Sequence, residues 1–472
     1  MTNFVYTNKW KVSGFHLFNS FILLFIIFLQ FQNLLGISFR DNNHQLSHII
    51  FLIDKVIFIF FFFAFIYIRS LDLILNDMGL VRRGRISLLK NELILFAFLV
   101  IFLLWCFISA MINDNDIMVS LNGTFVYVNY FLVFFIFSSL TYTESVIKRS
   151  YRILLNVALF LCVVSIGQEV LAFIYPASVD WWPNTTVGEY RWRYGLFRAP
   201  SLLRHANSIG TFALFFWTVE LAILQKKNFK NNKLNLVILG LAILFSMSRA
   251  TLGGALIALF FLSRPLRKLS LISLPFIIVV MVFLASFPDI VNKDLSDKFF
   301  RHDEYRSFAQ EMSLDVWRDH PFSGTGPGMY GGHVSLKYNS PIYQQYEFSG
   351  IYFEYLKEVG SIEQQWMQML AELGIIGVFL FILVLSSPII ILFRLPKARN
   401  SQFIETLIAA FMVMPVQMCF YAFGYNIPNE WMVPYFVFLG MLVGMQRRNN
   451  TICSTPETPK DTQRVILGSV ST

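Results

Sequence analysis

Long uninterrupted apolar runs recur along almost the whole chain, and they constrain its fold more than any other feature. Many of them approach 20 residues, the length that an α-helix needs to cross the hydrocarbon core of a bilayer. Charged residues make up 14% of the sequence, against about a quarter in ordinary soluble domains. The short alternating segments expected of a transmembrane β-barrel are absent from the sequence. The sequence therefore predicts an all-α, polytopic integral membrane protein.

Basic residues set the predicted topology. They gather in short clusters between the apolar runs, as in cytoplasmic loops, so the formal charge of +9 needs no nucleic-acid partner. Both termini are predicted to be cytoplasmic, and residues 1–448 are predicted to form the membrane domain, followed by a disordered polar tail at 449–472. About twelve transmembrane helices are predicted, near residues 15–38, 48–68, 93–112, 124–140, 153–175, 205–225, 234–248, 250–263, 269–287, 364–393, 404–424 and 431–445.

The shorter of two notable outer segments, residues 176–204, is rich in arginine and aromatic residues. Arg193, Arg198 and Arg204 lie there among tryptophans and tyrosines. Arginines on the outer side are unexpected, because basic residues of membrane proteins concentrate in the cytoplasmic loops. Guanidinium groups suit bidentate binding of phosphates, which would explain their presence. An interfacial helix, with aromatic residues in the headgroup region and arginines on lipid phosphates, would have the same composition. Both interpretations remain open at this point.

The longer outer segment, residues 288–363, is the one long polar stretch within the membrane domain. A loop of this length without a function of its own is unusual, so we predict that it forms the lid or wall of an active site. Its glycine run at 324–332 could cradle a phosphate. However, it lacks the lysine and the strand–helix context of a P-loop, and a tight turn would use the same residues. His320, His333 and Tyr330 are candidate substrate contacts in this segment.

Arg249 lies at the predicted tip of an apolar hairpin formed by residues 234–263. Each arm has about 15 residues and would extend about 22 Å, whereas the hydrocarbon core is about 30 Å thick. An arginine at that depth must face protein or a water-filled cavity, which makes it a candidate functional residue. The alternatives are a side chain that reaches the outer headgroups or one that only caps the hairpin.

Several short motifs, taken in order, resemble the O-antigen ligase/polymerase superfamily of bacterial membrane glycosyltransferases. They are Arg193-Tyr-Gly195-Leu-Phe197 with His205-Ala-Asn207, then Ser246-Met-Ser248-Arg249, then His320-Pro321-Phe-Ser-Gly324-Thr-Gly326, then Glu363-Gln364 with Glu372-Leu-Gly374. The first motif has one residue fewer between arginine and glycine than the family pattern, and Ala206 replaces a proline. Ligases of the family typically carry His-Asn at the position of Glu363-Gln364, whereas polymerases often carry an acidic residue and an amide. The resemblance therefore favours a polymerase.

This resemblance implies a metal-independent, inverting glycosyl transfer at the outer face of the cytoplasmic (inner) membrane, without a cofactor. The donor would be a growing glycan on polyprenyl pyrophosphate, and the acceptor would be a second lipid-linked repeat unit, in O-antigen, capsule or exopolysaccharide synthesis. Arg249 and Arg193 would bind the pyrophosphates, with Arg198 and Arg204 as secondary contacts, and Glu363 would act as a general base. Membrane lipids, a chain-length regulator and a flippase of the same pathway are the other expected partners.

Three alternatives remain. An O-antigen ligase would transfer the finished polysaccharide to lipid A core. A flippase for lipid-linked oligosaccharides would share the apolar spans and the basic inner loops, but it would not need the long outer segment. A solute transporter should contain internal repeats with paired broken helices, and the sequence shows none.

Overall fold

The computed structural model describes residues 89–176, 192–193, 196–203, 205–225, 233–262, 293–346, 348, 350, 353–354, 356–357, 361–395 and 401–453. Three predicted spans, at 15–38, 48–68 and 269–287, lie outside these residues. Arg204 and the side chain of Arg193 also lie outside the described part.

The regular secondary structure of the described residues is helical apart from one pair of two-residue strands. The elements are α1 (Leu89–Ile112), α2 (Ile117–Ser139), α3 (Glu144–Ile174), β1 (Trp192–Arg193), β2 (Leu196–Phe197), α4 (Ala206–Leu224), α5 (Lys233–Phe245), α6 (Arg249–Leu262), α7 (Lys293–Asp319), α8 (His333–Lys337), α9 (Ile342–Gln345), α10 (Gln365–Arg394), α11 (Gln402–Tyr421) and α12 (Asn429–Cys453). Strands β1 and β2 are antiparallel, with Arg193 opposite Leu196.

Six of the described helices are long and apolar enough to cross a membrane, namely α1, α2, α3, α4, α10 and α11. Helices α5 and α6 are shorter apolar helices. The predicted all-α membrane fold is therefore confirmed, while the total of about twelve spans stays a prediction. The last helix runs to Cys453, so the first residues of the predicted tail at 449–472 are helical.

Two helix boundaries differ from the sequence prediction because polar residues cap the helices earlier in the chain. Asp116 accepts hydrogen bonds from the backbone N–H groups of Met118 (2.6 Å) and Val119 (3.3 Å). Such a cap starts a helix, so α2 begins seven residues before the predicted 124. Thr143 caps α3 in the same way through Val146 N. The basic cluster near Lys148 therefore lies inside α3 and not in a loop.

Helix α4 lies at the centre of the bundle. In its apolar window 83% of the residues are buried, against 33% for α1, and it contacts α3, α5, α6, α11 and α12. Its N-terminal end is therefore held on several sides, which makes it a rigid support for the residues that precede it.

Helices α2 and α12 approach closely through two glycines spaced four residues apart, Gly440 and Gly444. A Cβ atom at Gly440 would lie 2.9 Å from the carbonyl oxygen of Phe134, and one at Gly444 would lie 2.1 Å from that of Leu140. Small residues at this spacing let membrane helices pack backbone to backbone. This contact fixes α2, whose other end supports the outer segment.

Residues 293–363 form a small domain with its own hydrophobic core. Buried Tyr305, Tyr343, Phe348 and Leu356 belong to this core, together with Ala371 of α10. Helix α7 also packs along α10. The described part of the long outer segment is therefore docked onto the spans by apolar contact.

Candidate functional site

Helix α10 is broken at Gly374, and the outer segment fills the break. Gly374 has φ 65° and ψ −172°, so the carbonyl groups before it lack their usual helical partners. Thr325 N donates to Ala371 O (2.9 Å) and Gly326 N donates to Glu372 O (2.7 Å). On the far side of the break, Ile375 N donates to Pro321 O (3.0 Å). The motif at His320–Gly326 thus completes the hydrogen bonding of a discontinuous helix.

The glycine run, which we call the glycine loop (residues 324–332), does surround an anion with backbone donors. That anion is the side chain of Glu372 in the protein itself. Tyr330 N donates to Glu372 Oε1 (3.1 Å), and Gly328 N also bonds this carboxylate. Gly331 N donates to the hydroxyl of Tyr343 (2.9 Å). These backbone donors are therefore already used, and the loop offers no phosphate nest at these positions.

Tyr330 has a packing role instead of the predicted substrate contact. Its side chain is 1% exposed, and its hydroxyl donates to Ala309 O (3.0 Å). Burial raises the pKa of this phenol well above its ordinary value. His320 is half-buried after the end of α7, where its carbonyl accepts from Gly324 N (2.9 Å). His333 is exposed and begins α8.

Glu363 lies in a strained turn just before α10. Its φ of 56° is in the left-handed region, which costs an L-residue about 1–2 kcal/mol. The turn is held because Ile362 N donates to Gly331 O (2.8 Å) and Glu363 N donates to Ser361 Oγ (3.3 Å). Strain of this kind persists only where surrounding contacts enforce it, and it is concentrated at functional sites. The side chain of Glu363 is half-buried.

The residues after Glu363 dock this turn onto the C-terminal end of α11. Trp366 donates from its indole nitrogen to Cys419 O (2.9 Å) and from its backbone to Ala422 O (3.3 Å). Ile427 N donates to Gln365 Oε1 (2.8 Å). The turn and the α11–α12 connection therefore form one unit.

Tyr421, at the end of α11, lies within electrostatic range of charged groups from two other parts of the chain. The Tyr421 hydroxyl interacts electrostatically with both the carboxylate of Glu363 and the guanidinium of Arg198. These two residues are far apart in the sequence, and both were candidates from the sequence, Glu363 through a motif and Arg198 through the arginine-rich outer segment. The structure therefore brings a carboxylate and a cation to the same end of α11.

Arg198 also joins two of the sequence motifs. Its Nη2 donates to Asn207 Oδ1 (2.8 Å), in the motif that begins α4, and its Nε donates to Ser246 O (3.4 Å), at the tip of the α5–α6 hairpin. Arg249 is the first residue of α6 and is exposed. The next residue, Ala250, packs beside Gly424 of the α11–α12 connection. A Cβ atom added to Gly424 would lie 3.8 Å from the Cβ atom of Ala250.

Sequence reasoning missed the polar face of α3 that holds the segment around Arg198. Gln168 makes two hydrogen bonds to the backbone of Ser201, at 2.8 and 3.0 Å, and Ser165 Oγ donates to Ala199 O (3.1 Å). The carboxylate of Glu169 bonds the backbone of Phe197. The signal was available, because the consecutive polar pair Gln168-Glu169 interrupts an otherwise apolar predicted span.

The predicted site residues thus divide into two groups. Arg198, Arg249 and Glu363 lie on elements that meet at the end of α11, which we call the α11 junction. Only the backbone of Arg193 is described, in strand β1, and Arg204 is outside the described part. Within the described ranges, no group of three or more His, Cys, Asp or Glu side chains is placed to hold a metal ion.

The comparison with protein families matches residues 234–382 to the family described as O-antigen ligase. The matched range covers the α5–α6 hairpin, the long outer segment and the first part of α10, including Glu363 and Glu372. A comparison with curated proteins finds no match to the chain. The family match confirms the resemblance that the motifs indicate.

Proposed function

We propose that this chain, whose residues 234–382 match the O-antigen ligase family, is a polysaccharide polymerase. It would join repeat units carried on polyprenyl pyrophosphate at the outer face of the cytoplasmic membrane. The observation that carries the proposal is the α11 junction, where the charges of a half-buried carboxylate and an arginine both act on the same tyrosine hydroxyl. In a transfer from a lipid pyrophosphate, a cation can stabilise the leaving group and a carboxylate can take the proton of the acceptor.

The cationic side of the junction suits the leaving group. When the anomeric bond breaks, charge develops on the pyrophosphate, and fixed cations or backbone dipoles stabilise it. Arg198 is held in one orientation by Asn207 and Ser246, so little reorganisation is needed. Arg249 stands at the N-terminus of α6, where the helix dipole also favours an anion. Both arginines would bind pyrophosphate, and Arg193 and Arg204 remain candidates on the same outer segment.

The carboxylate side suits the acceptor. In the proposed step, Glu363 takes the proton from an acceptor hydroxyl while that oxygen attacks the anomeric carbon, and the lipid pyrophosphate leaves from the opposite face. A single displacement of this kind inverts the anomeric configuration. The strained turn holds Glu363 in place before the substrate arrives, which is the preorganisation expected of a catalytic group.

The choice of polymerase over ligase rests on the residues at one position. This chain carries Glu363-Gln364, where the ligases of the family typically carry His-Asn. A strain that lacks the gene tests the choice. Lipid-linked single repeat units without polymer would support a polymerase, whereas full-length polymer that stays unattached to lipid A core would identify a ligase. Normal envelope glycan in the deletion strain would refute both, and would favour a flippase or transporter of another substrate.

The role of Glu363 is tested by Glu363→Gln. This substitution keeps the size of the side chain but removes its basicity, so we expect the rate of polymer formation to fall about 10²–10⁴-fold. Glu354→Gln is the matched control, since Glu354 is an exposed carboxylate of the same segment that pairs only with Lys357 in the described contacts. Polymer of normal yield and length from Glu363→Gln would return this residue to a helix-capping role.

Topology is tested by labelling single cysteines with a membrane-impermeant reagent in intact cells. We expect His333→Cys to react, because residue 333 is exposed and belongs to the proposed outer segment. Lys230→Cys, in the basic cluster after α4, should react only after the membrane is permeabilised. The opposite pattern would place the α11 junction on the cytoplasmic side and refute the proposed use of lipid-linked substrates at the outer face.

A further inference from the structure

Glu372 is a fully buried carboxylate on which three elements converge. The hydroxyl of Tyr127, from α2, donates to Oε2 (2.7 Å), and Tyr330 N, from the glycine loop, donates to Oε1 (3.1 Å). Gln368, one turn earlier in α10, donates to Oε1 at 3.3 Å. Gly328 N also bonds the carboxylate. All four groups are donors, and a carboxylate with no proton can only accept.

The glycine loop connects Glu372 to the turn that contains Glu363. Gly331, the residue after Tyr330, accepts a hydrogen bond through its carbonyl from Ile362 N (2.8 Å). A Cβ added to Gly331 would lie 2.9 Å from the side chain of Ile362, so this side chain packs directly against Gly331. Ile362 directly precedes Glu363, whose left-handed backbone needs external support. A short path of hydrogen bonds thus leads from Glu372 to Glu363.

We infer that Glu372 is a positioning residue, which ties the glycine loop to the spans and thereby holds the turn of Glu363 in its strained conformation. This inference rests on the proposed function for the role of Glu363. Glu372 itself is 0% exposed and acts through the loop. An amide in its place would present an N–H group to donors that need an acceptor, and buried donors without an acceptor are costly.

The chain offers a matched control in Glu220. Its side chain is 1% exposed, it accepts from the hydroxyl of Tyr151 (2.7 Å), and Asn235 Nδ2 donates to its other oxygen (3.3 Å). Like Glu372 it is a buried carboxylate in a span with a tyrosine partner. Unlike Glu372, it accepts these hydrogen bonds from α3 and α5, which are far along the chain from the glycine loop.

The test compares hydrogen exchange in the full-length purified protein, in nanodiscs, for the wild type, Glu372→Gln and Glu220→Gln. We expect Glu372→Gln to speed amide exchange at Tyr330 and at Ile362 by about tenfold or more, because the loss of a charge-assisted bond changes a local equilibrium by about that factor. Glu220→Gln should leave both amides as in the wild type. Tyr127→Phe, which removes one donor and keeps the ring, should give a smaller increase at the same two amides.

The results separate this inference from the proposed function. Unchanged exchange at Ile362 in both Glu372→Gln and Tyr127→Phe would overturn it, and so would an equal increase in Glu220→Gln, which would indicate general loosening of the bundle. If Glu372→Gln does not fold, the result from Tyr127→Phe decides. Polymer formation should fall in the same order as exchange speeds up, more in Glu372→Gln than in Tyr127→Phe. A wild-type protein that makes no polymer would refute the proposed function, whereas the exchange data alone decide the positioning role.

Discussion

The break in α10 gives the sharpest test of how the outer segment is attached to the spans. Gly374 combines φ 65° with ψ −172°, a region that is essentially confined to glycine. A Cβ atom at this position would lie 2.2 Å from the carbonyl oxygen of Phe322 and 2.8 Å from Gly324 N. Gly374→Ala therefore cannot be accommodated without moving the backbone of the outer segment.

The expected size of the effect follows from two contributions. An alanine in this backbone conformation costs about 1–3 kcal/mol. Withdrawal of the outer segment would also break the three backbone hydrogen bonds at the helix break, made by Thr325 N, Gly326 N and Ile375 N, each worth about 0.5–1.5 kcal/mol. The total is about 2.5–7.5 kcal/mol, which is comparable to the stability of many whole domains.

Thermal unfolding of the purified protein, together with limited trypsin digestion at exposed Lys337, measures this effect. We expect Gly374→Ala to unfold at a clearly lower temperature and to be cleaved faster at Lys337. Gly167→Ala is the control, because Gly167 lies within α3 and a Cβ there would meet nothing within 4 Å. Alanine favours a helix over glycine by about 1 kcal/mol, so the control should be as stable as the wild type or more so. Wild-type unfolding and digestion of Gly374→Ala would refute the docking of the segment into the break.

Three further predictions concern the α11 junction. Glu363→Gly should raise the unfolding temperature, because glycine tolerates the left-handed φ of 56° without the strain of about 1–2 kcal/mol, and it should abolish polymer formation. An unfolding temperature below that of the wild type would contradict the strain. Arg198→Lys should reduce polymer formation at least about tenfold at normal expression, since an ammonium cannot reproduce the guanidinium fork. The control Arg318→Lys should leave polymer yield unchanged, because the side chain of Arg318 is 68% exposed. Gln168→Leu should lower the free energy of unfolding by about 2–4 kcal/mol, because the backbone of Ser201 loses both of its hydrogen-bond partners, and polymer yield should fall as well. Full activity of this variant would show that the α3 contacts do not position Arg198.

The sequence by itself determined the class of fold and the positions of several spans. Helix α4 was predicted at 205–225 and lies at Ala206–Leu224, and the α5–α6 hairpin was predicted with Arg249 at its tip. These features depend on the length of apolar runs and on nearby polar residues, which are local properties of the chain. The motifs named Glu363 and Arg249 as candidates, and the arginine-rich outer segment named Arg198, but neither indicated how these residues are placed relative to one another.

Only the tertiary structure decided what each polar group contacts. The glycine loop looked like a possible phosphate cradle, yet the anion it holds is Glu372, more than forty residues further along the chain. Likewise, nothing local to Arg198 indicates that Asn207 and Ser246 are its partners, or that its charge and that of Glu363 both act on Tyr421. Such pairings depend on how helices pack around α4 and α11. A hydrogen bond between distant residues leaves no periodic pattern in the sequence, because it is set by the packing of the helices that carry them.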